Sequence, residues 1–284
     1  MSHFTHFAAI DWSGAKGSKH KGIAIALCEA GDAAPMLVAS PAGIWSRSAA
    51  RDWILSQADT QTLIGMDFSF SAPWIGRGAY LPGSDAPDDA RGFWKWIDAL
   101  CDDEDLGAAS LIEWHQRRHF YLGAADGIKA DFLYWRVCEL HYNAGGGGKA
   151  STVYDAIGAA QVAKASFAGM RLLNAVGAHL PIWPFDPRAT NGAQLIEIYT
   201  TIAAHAAGIP KGRSKMRDGA ALDGALAVLG SAPHIELTRY DDHATDAILT
   251  AAWLRANATN ALLWEPQALT PLVTQTEGWT FGIS

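Results

Sequence analysis

The stretches Phe7–Gly14 (FAAIDWSG) and Leu63–Ser69 (LIGMDFS) share one form: uncharged residues run straight into an aspartate, and small or turn-forming residues follow. Such runs read as buried strands, because a half-solvated strand would alternate polar and apolar residues. A carboxylate at the end of a buried strand is costly unless it is paired or binds a metal ion. Alone, Asp11 or Asp67 reads equally well as the exposed stop of a strand; the repeated form makes the pair informative. A third stretch, Asp241–Leu254 (DDHATDAILTAAWL), is helical, with Ala, Leu, Ile and Trp and almost no breakers, and Asp241 or Asp242 can cap its start. Asp242, His243 and Asp246 then share one face of the first turns. The helix dipole favours acids at a helix start by about 0.3–1 kcal/mol, so Asp241 and Asp242 can be caps only. Asp246 sits a turn further in, within an apolar run. If Asp11, Asp67 and Asp246 converge, the chain owns a divalent-cation site, and clustered oxygen ligands suit Mg²⁺ or Mn²⁺.

Outward from these stretches the elements fall into an α/β order. Strands are expected at about 4–11, 22–28 and 35–39, a three-stranded meander with a turn signal at Gly31-Asp32. Ser46 opens a helix through Gln57, and a fourth strand runs from Thr62 to Asp67. A fifth strand, Gln194–Thr200 (QLIEIYT), precedes the closing helix. Strands one and four become parallel neighbours across the crossover helix, which sets their carboxyl ends side by side. The expectation is one domain over 1–284, with a mixed five-stranded sheet flanked by helices. Its core spans about 4–69 and 190–258, and a mostly helical insertion spans about 70–189 and roofs one end of the sheet, with helices near 127–142 and 154–176.

With 284 residues, 49% of them hydrophobic and 18% charged, the chain can bury a substantial core. No secretory signal pattern opens it and no apolar run spans a bilayer, so a cytoplasmic protein without a membrane partner is expected. Cys28, Cys101 and Cys138 are too widely spaced for a disulfide framework or a thiolate zinc site. The net charge of −7 argues against a broad basic field for gripping duplex DNA. Local basic groups remain: Lys16, Lys19 and Lys21 beside Ser13 in a Gly/Ser turn, Arg117-Arg118-His119, and Lys211, Arg213, Lys215 and Arg217. Each reads as a solvated loop or as a phosphate patch.

The insertion holds Trp74, Trp94, Trp96, Trp114 and Trp135, which are either core filler or stacking platforms for bases or sugars. Its glycine run, Gly145–Gly148 before Lys149, lacks the first glycine, the Ser/Thr and the leading strand of a phosphate-binding P-loop. A hinge or lid is the better expectation.

The order of motifs resembles the ribonuclease H-like superfamily: strand Asp11, hairpin, helix, strand Asp67, the strand carrying Glu197, and a closing helix with His243, Asp246 and Ala247. Within it the chain is most similar to an uncharacterised bacterial family of predicted nucleases, and distantly resembles RuvC-type Holliday junction resolvases. The resemblance covers roughly 4–67 and 194–256. It implies a two-metal phosphodiesterase acting on nucleic acid or a nucleotide, using Mg²⁺ or Mn²⁺. Asp11 would bridge the ions, Asp67 and Asp246 would flank them, with Asp242 nearby, and His243 would position or deprotonate the attacking water. Glu197 is either a further ligand or a strand glutamate facing solvent or paired with an arginine. Lys16, Lys19, Lys21 and Ser13 would clamp a phosphate. Two alternatives stay open: a non-catalytic binding or regulatory protein of the same fold, and an ATP-dependent phosphotransferase, which would need a second copy of the domain.

Overall fold

The computed structural model describes residues 3–157, 162–210 and 216–284. Its strands are β1 (His6–Asp11), β2 (Ala24–Glu29), β3 (Met36–Leu37), β4 (Thr62–Asp67), β5 (Ile182–Trp183) and β6 (Gln194–Glu197). They form one mixed sheet in the order β3-β2-β1-β4-β6-β5. The meander β1-β2-β3 is antiparallel, β4 runs parallel to β1, and β6 runs parallel to both β4 and β5. The expected five strands are therefore six. The added β5 lies in the span assigned to the insertion, and two residues are too few to show a strand period.

Nine helices are named among the described residues. They are α1 (Arg47–Ser56), α2 (Ala90–Leu100), α3 (Val137–Ala144), α4 (Val162–Val176), α5 (Thr200–Ala206), α6 (Gly219–Val228), α7 (Asp242–Asn257), α8 (Ala261–Trp264) and α9 (Pro271–Thr276). Ser46 caps α1 through its hydroxyl, which accepts from Ala49 N at 3.0 Å. Asp241 does the same for α7 at Ala244 N. The helix expected near 127–142 is instead a 3₁₀ turn at Lys129–Phe132 followed by α3. None of the described helices is long and apolar enough to cross a membrane.

Each buried strand has two faces, and register decides which residues share one. Ala8 and Ile10 on β1, Ile25 on β2, Ile64 and Met66 on β4 and Leu195 on β6 pack on one side, against α1, α2 and α4. Phe7, Ala9, Ala26, Leu63 and Ile196 pack on the other side, against α5, α6 and α7. The insertion is thus less a roof over one end than part of a layer: α2 and α4 share with α1 the covering of one face of the sheet. Gly65 lets α7 come close, since a Cβ there would meet Leu254 Cδ1 at 2.8 Å and Ile198 Cγ2 at 2.7 Å.

The glycine run also has a local use. Gly145 ends α3, its N–H returning to His141 O at 2.9 Å, and Gly147 lies flat on the Tyr142 ring, where a Cβ would stand 2.2 Å from Cε2. It stops a helix rather than cradling a phosphate.

The turn after β1 docks on α4 through Gly14, where a Cβ would fall 2.3 Å from Ala165 N and 2.6 Å from Lys164 C. Those neighbours are backbone and cannot rotate away. Gly14→Ala is expected to cost about 1–3 kcal/mol, lowering the melting temperature by about 3–10 °C in a calorimetric scan. An unchanged transition would show that the turn and α4 are not in this contact.

Candidate active site

Asp11 and Asp67 are the last residues of β1 and β4, and they are direct register partners. Neighbouring strands lie about 4.8 Å apart, and register partners project to the same face. Asp11 continues the parity of Phe7 and Ala9, and Asp67 that of Leu63 and Gly65, so both carboxylates lean toward the α7 side of the sheet. Helix α7 packs across β1 and β2 and presents His243 and Asp246 in its first two turns. The four side chains line one cavity of about 340 Å³, together with Asp242, Trp12, Ser69, Ser166, Tyr142 and Tyr199. All three aspartates expected to form a cation site line this cavity.

The charges in this cavity conflict. Burial, then the charges of Asp11 and Asp246, push Asp67 well above the usual carboxylate range, against a hydrogen bond from Thr200 Oγ1 at 3.2 Å. Thr200 opens α5, so Asp67 also accepts the positive end of a short helix. Burial raises Asp11 as well, although His243 Nδ1 lies 2.9 Å from its Oδ2 and pulls in the opposite direction. That same hydrogen bond, assisted by the Asp11, Asp241 and Asp242 charges, raises His243 above 6.5 despite partial burial. His243 Nε2 has no hydrogen-bond partner among the described residues, and the ring is half-exposed in the cleft. Gly22 lies against that ring, where a Cβ would stand 3.3 Å from Cε1.

The donor set is right in kind for a hard cation, being carboxylate oxygens lining one cavity. Among the described residues, no three acidic, histidine or cysteine side chains already stand at coordinating spacing.

The other expected site residues are placed differently. Asp242 lines the cleft, but its Oδ1 lies 3.0 Å from Arg217 Nη1. Glu197 lines the same cavity but is held differently. As register partner of Met66 it takes the opposite parity from Asp67, and the buried guanidinium of Arg136 holds both of its oxygens, joined by Phe70 N at 2.7 Å and Thr280 Oγ1. The pairing with an arginine, rather than ligation, describes it. Lys16 is drawn to Glu113 at 2.7 Å, and neither it, Lys19, Lys21 nor Ser13 lines the cleft. Ser13 Oγ instead accepts from Ala15 N at 3.3 Å within its own turn. A glycine-rich turn with three lysines reads as a clamp in sequence, but the turn leads away from the carboxylates, over the Asp103–Glu113 side of the molecule. Lys211, Arg213 and Lys215 lie outside the described residues.

Several cleft residues carry no sequence signal. Arg136 and Glu139 are buried beside Glu197, and burial raises Glu139 more than the Arg136 charge lowers it. Ser166 Oγ accepts from Ser69 N at 3.2 Å, closing the wall between β4 and α4. Tyr142 and Tyr199 meet edge to face with ring centroids 5.6 Å apart. All become neighbours only through the fold. No protein-family model, curated protein or solved structure matches the chain.

The conflict of charges predicts a sign. A carboxyl whose folded-state pKa lies above its unfolded value contributes stability below the unfolded pKa, and that contribution is lost as pH rises through the folded pKa. Asp67→Asn removes the loss, so in chelator the variant is expected to melt at least about 2 °C above the native protein at pH 8, roughly 1 kcal/mol. The gap should close toward pH 4. A variant less stable than the native protein at pH 8 would contradict the charge conflict.

Proposed function

We propose that the protein is a divalent-metal-dependent phosphodiester hydrolase acting on nucleic acid or a nucleotide, with a sheet of the ribonuclease H-like kind. The supporting fold features are the antiparallel β1-β2-β3 meander, the parallel neighbours β4 and β6, and a closing helix packed on β1. The observation that carries the reading is the in-register pair Asp11 and Asp67 facing His243 and Asp246 across one cleft. The single six-stranded sheet leaves no second copy among the described residues, which disfavours the phosphotransferase.

Asp11, Asp67 and Asp246 would hold Mg²⁺ or Mn²⁺, which supplies charge compensation for the phosphate oxygens of an in-line displacement. The chain's own groups do the rest. Asp11 accepts from His243 Nδ1 and so fixes the ring, leaving Nε2 open in the cleft to take a proton from water. Thr200 orients Asp67. The aromatic walls, Trp12 and Phe68 with rings 5.7 Å apart, limit water around the carboxylates.

Asp11→Asn and Asp67→Asn are each expected to lower Mg²⁺- or Mn²⁺-dependent cleavage of labelled oligonucleotides by more than the roughly 100-fold that loss of an outer-shell partner costs, with circular dichroism unchanged. Undiminished cleavage in both variants would refute the assignment. His243 accepts a proton only when neutral, and its pKa is raised above 6.5. kcat/KM should therefore climb with pH through an apparent pKa above that value. His243→Ala should lower kcat by about 10²–10⁴-fold and flatten that limb; an unaltered pH profile would remove His243 from the chemistry.

A further inference from the structure

The five insertion tryptophans separate cleanly by environment. Trp94 is buried with Nε1 on Phe70 O at 2.7 Å, and Trp135 donates to Ala150 O at 2.8 Å. Trp74 and Trp96 donate to Asp88 and Asp85 at 3.2 and 3.0 Å. Trp114 alone of the five is 76% exposed, and among the described residues its indole makes no hydrogen bond and no ring contact. It is nevertheless held firmly at its base, on a single π-helical turn, Leu111–His115, whose Leu111 and Ile112 are fully buried. Such turns are rare and often mark functional positions.

Cations stand beside this ring. A depression of about 540 Å³ is bounded by Trp114, His115, Arg117, Arg118 and the loop Gly83–Asp85. Arg118 has no carboxylate partner among the described residues: Nη2 donates to Gly83 O at 2.9 Å and Nε to His119 Nε2 at 3.1 Å. His119 stays neutral for that role, pushed down to about 4 by burial and by the Arg118 and Arg77 charges. Arg117 meets Asp126 through Nη2 at 2.7 Å, while its Nη1 has no hydrogen-bond partner among the described residues.

We infer that Trp114 and Arg118 form a subsite for single-stranded nucleic acid, the base stacking on the indole and the phosphate pairing with the guanidinium. A flat exposed ring beside an unmatched guanidinium fits one nucleotide unit, because every base offers a π-face and every linkage an anion. The polymer is favoured over a free nucleotide by position. Trp114 also borders the depression formed by the Gly14–Gly17 turn, which continues β1 directly from Asp11, and Lys16 bonds Glu113, the residue before Trp114. At most roughly 17 Å of chain separates Asp11 from Lys16. Among the described residues lining the cleft the one arginine, Arg136, is committed to Glu139 and Glu197, so a polyanion gains more from the Arg118 side. A duplex keeps its bases stacked inside, away from Trp114. The coupling of this subsite to cleavage rests on the hydrolase reading; its binding does not.

The test is fluorescence anisotropy of a labelled single-stranded oligonucleotide and of its duplex, with the full-length protein carrying Asp67→Asn, in chelator. Trp114→Ala should weaken single-strand binding by about 5- to 150-fold, corresponding to about 1–3 kcal/mol per stacked base, and Trp114→Phe should retain most of it. Arg118→Ala should reduce the slope of log K against log salt by about 0.7. Unchanged single-strand affinity in both Trp114→Ala and Arg118→Ala, or a duplex bound as tightly and as dependent on Trp114, overturns the subsite. If binding follows Trp114 but no metal supports cleavage, the hydrolase reading falls and the subsite stands. If Asp11→Asn abolishes cleavage while Trp114→Ala binds normally, the subsite alone falls.

Discussion

Parallel, in-register pairing of β1 with β4 is the constraint from which the rest follows. It places two aspartates as direct neighbours at the end of a buried sheet, on the same face, where burial disfavours both charges. Two like charges in such a setting oppose each other and the fold. The structure concedes only partial relief: Asp11 accepts from His243 and from the Trp12 backbone, and Asp67 from the hydroxyl and the backbone of Thr200. A purely structural design would have put an arginine there, as the chain does for Glu197 at the end of the adjacent strand. The β6 end is matched by a buried guanidinium, whereas the β1 and β4 ends keep two carboxylates in conflict, and that contrast is what the proposed function rests on.

That matched end holds the cleft together. Arg136 spans Glu139, Glu197 and the Glu277 carbonyl, while the Glu277 carboxylate accepts from the backbone N–H groups of Trp74, Ile75 and Val137. Four distant segments therefore meet on one buried polar network: the loop after β4, the start of α3, the strand β6 and the C-terminal stretch. Removing one partner from such a network leaves a buried charge uncompensated, at a cost of about 3–5 kcal/mol. The network also holds the Phe70 backbone on Glu197, and Thr280 and Phe281 bridge to the end of β6.

What was legible in the sequence was whatever depends on local pattern. Unbroken apolar runs marked β1 and β4, and their parallel adjacency followed from a single crossover helix. Ser46 and Asp241 announced helix starts through side chains that reach their own backbone. The trio Asp242, His243 and Asp246 followed from helical spacing. What was not legible depends on partners far along the chain. Whether Glu197 was a ligand or an arginine's partner stayed open in the sequence because Arg136, which neutralises it, lies 61 residues away. The lysine-rich turn looked like a phosphate clamp because nothing local shows that Gly14 docks on α4 and directs Lys16 toward Glu113. The two-residue β5 is too short to have a period, and the exposure of Trp114 among five tryptophans is set by packing alone.

Asp11 and Asp67 set like charges side by side in the cleft, and its chemistry as proposed turns on a divalent cation relieving that conflict. The most direct measurement is anomalous diffraction from a crystal soaked in Mn²⁺. A peak within coordinating distance of both Asp11 and Asp67, with Asp246 alongside, is the expected result. A fully soaked crystal with no manganese between those carboxylates, or with manganese bound only elsewhere, would contradict it.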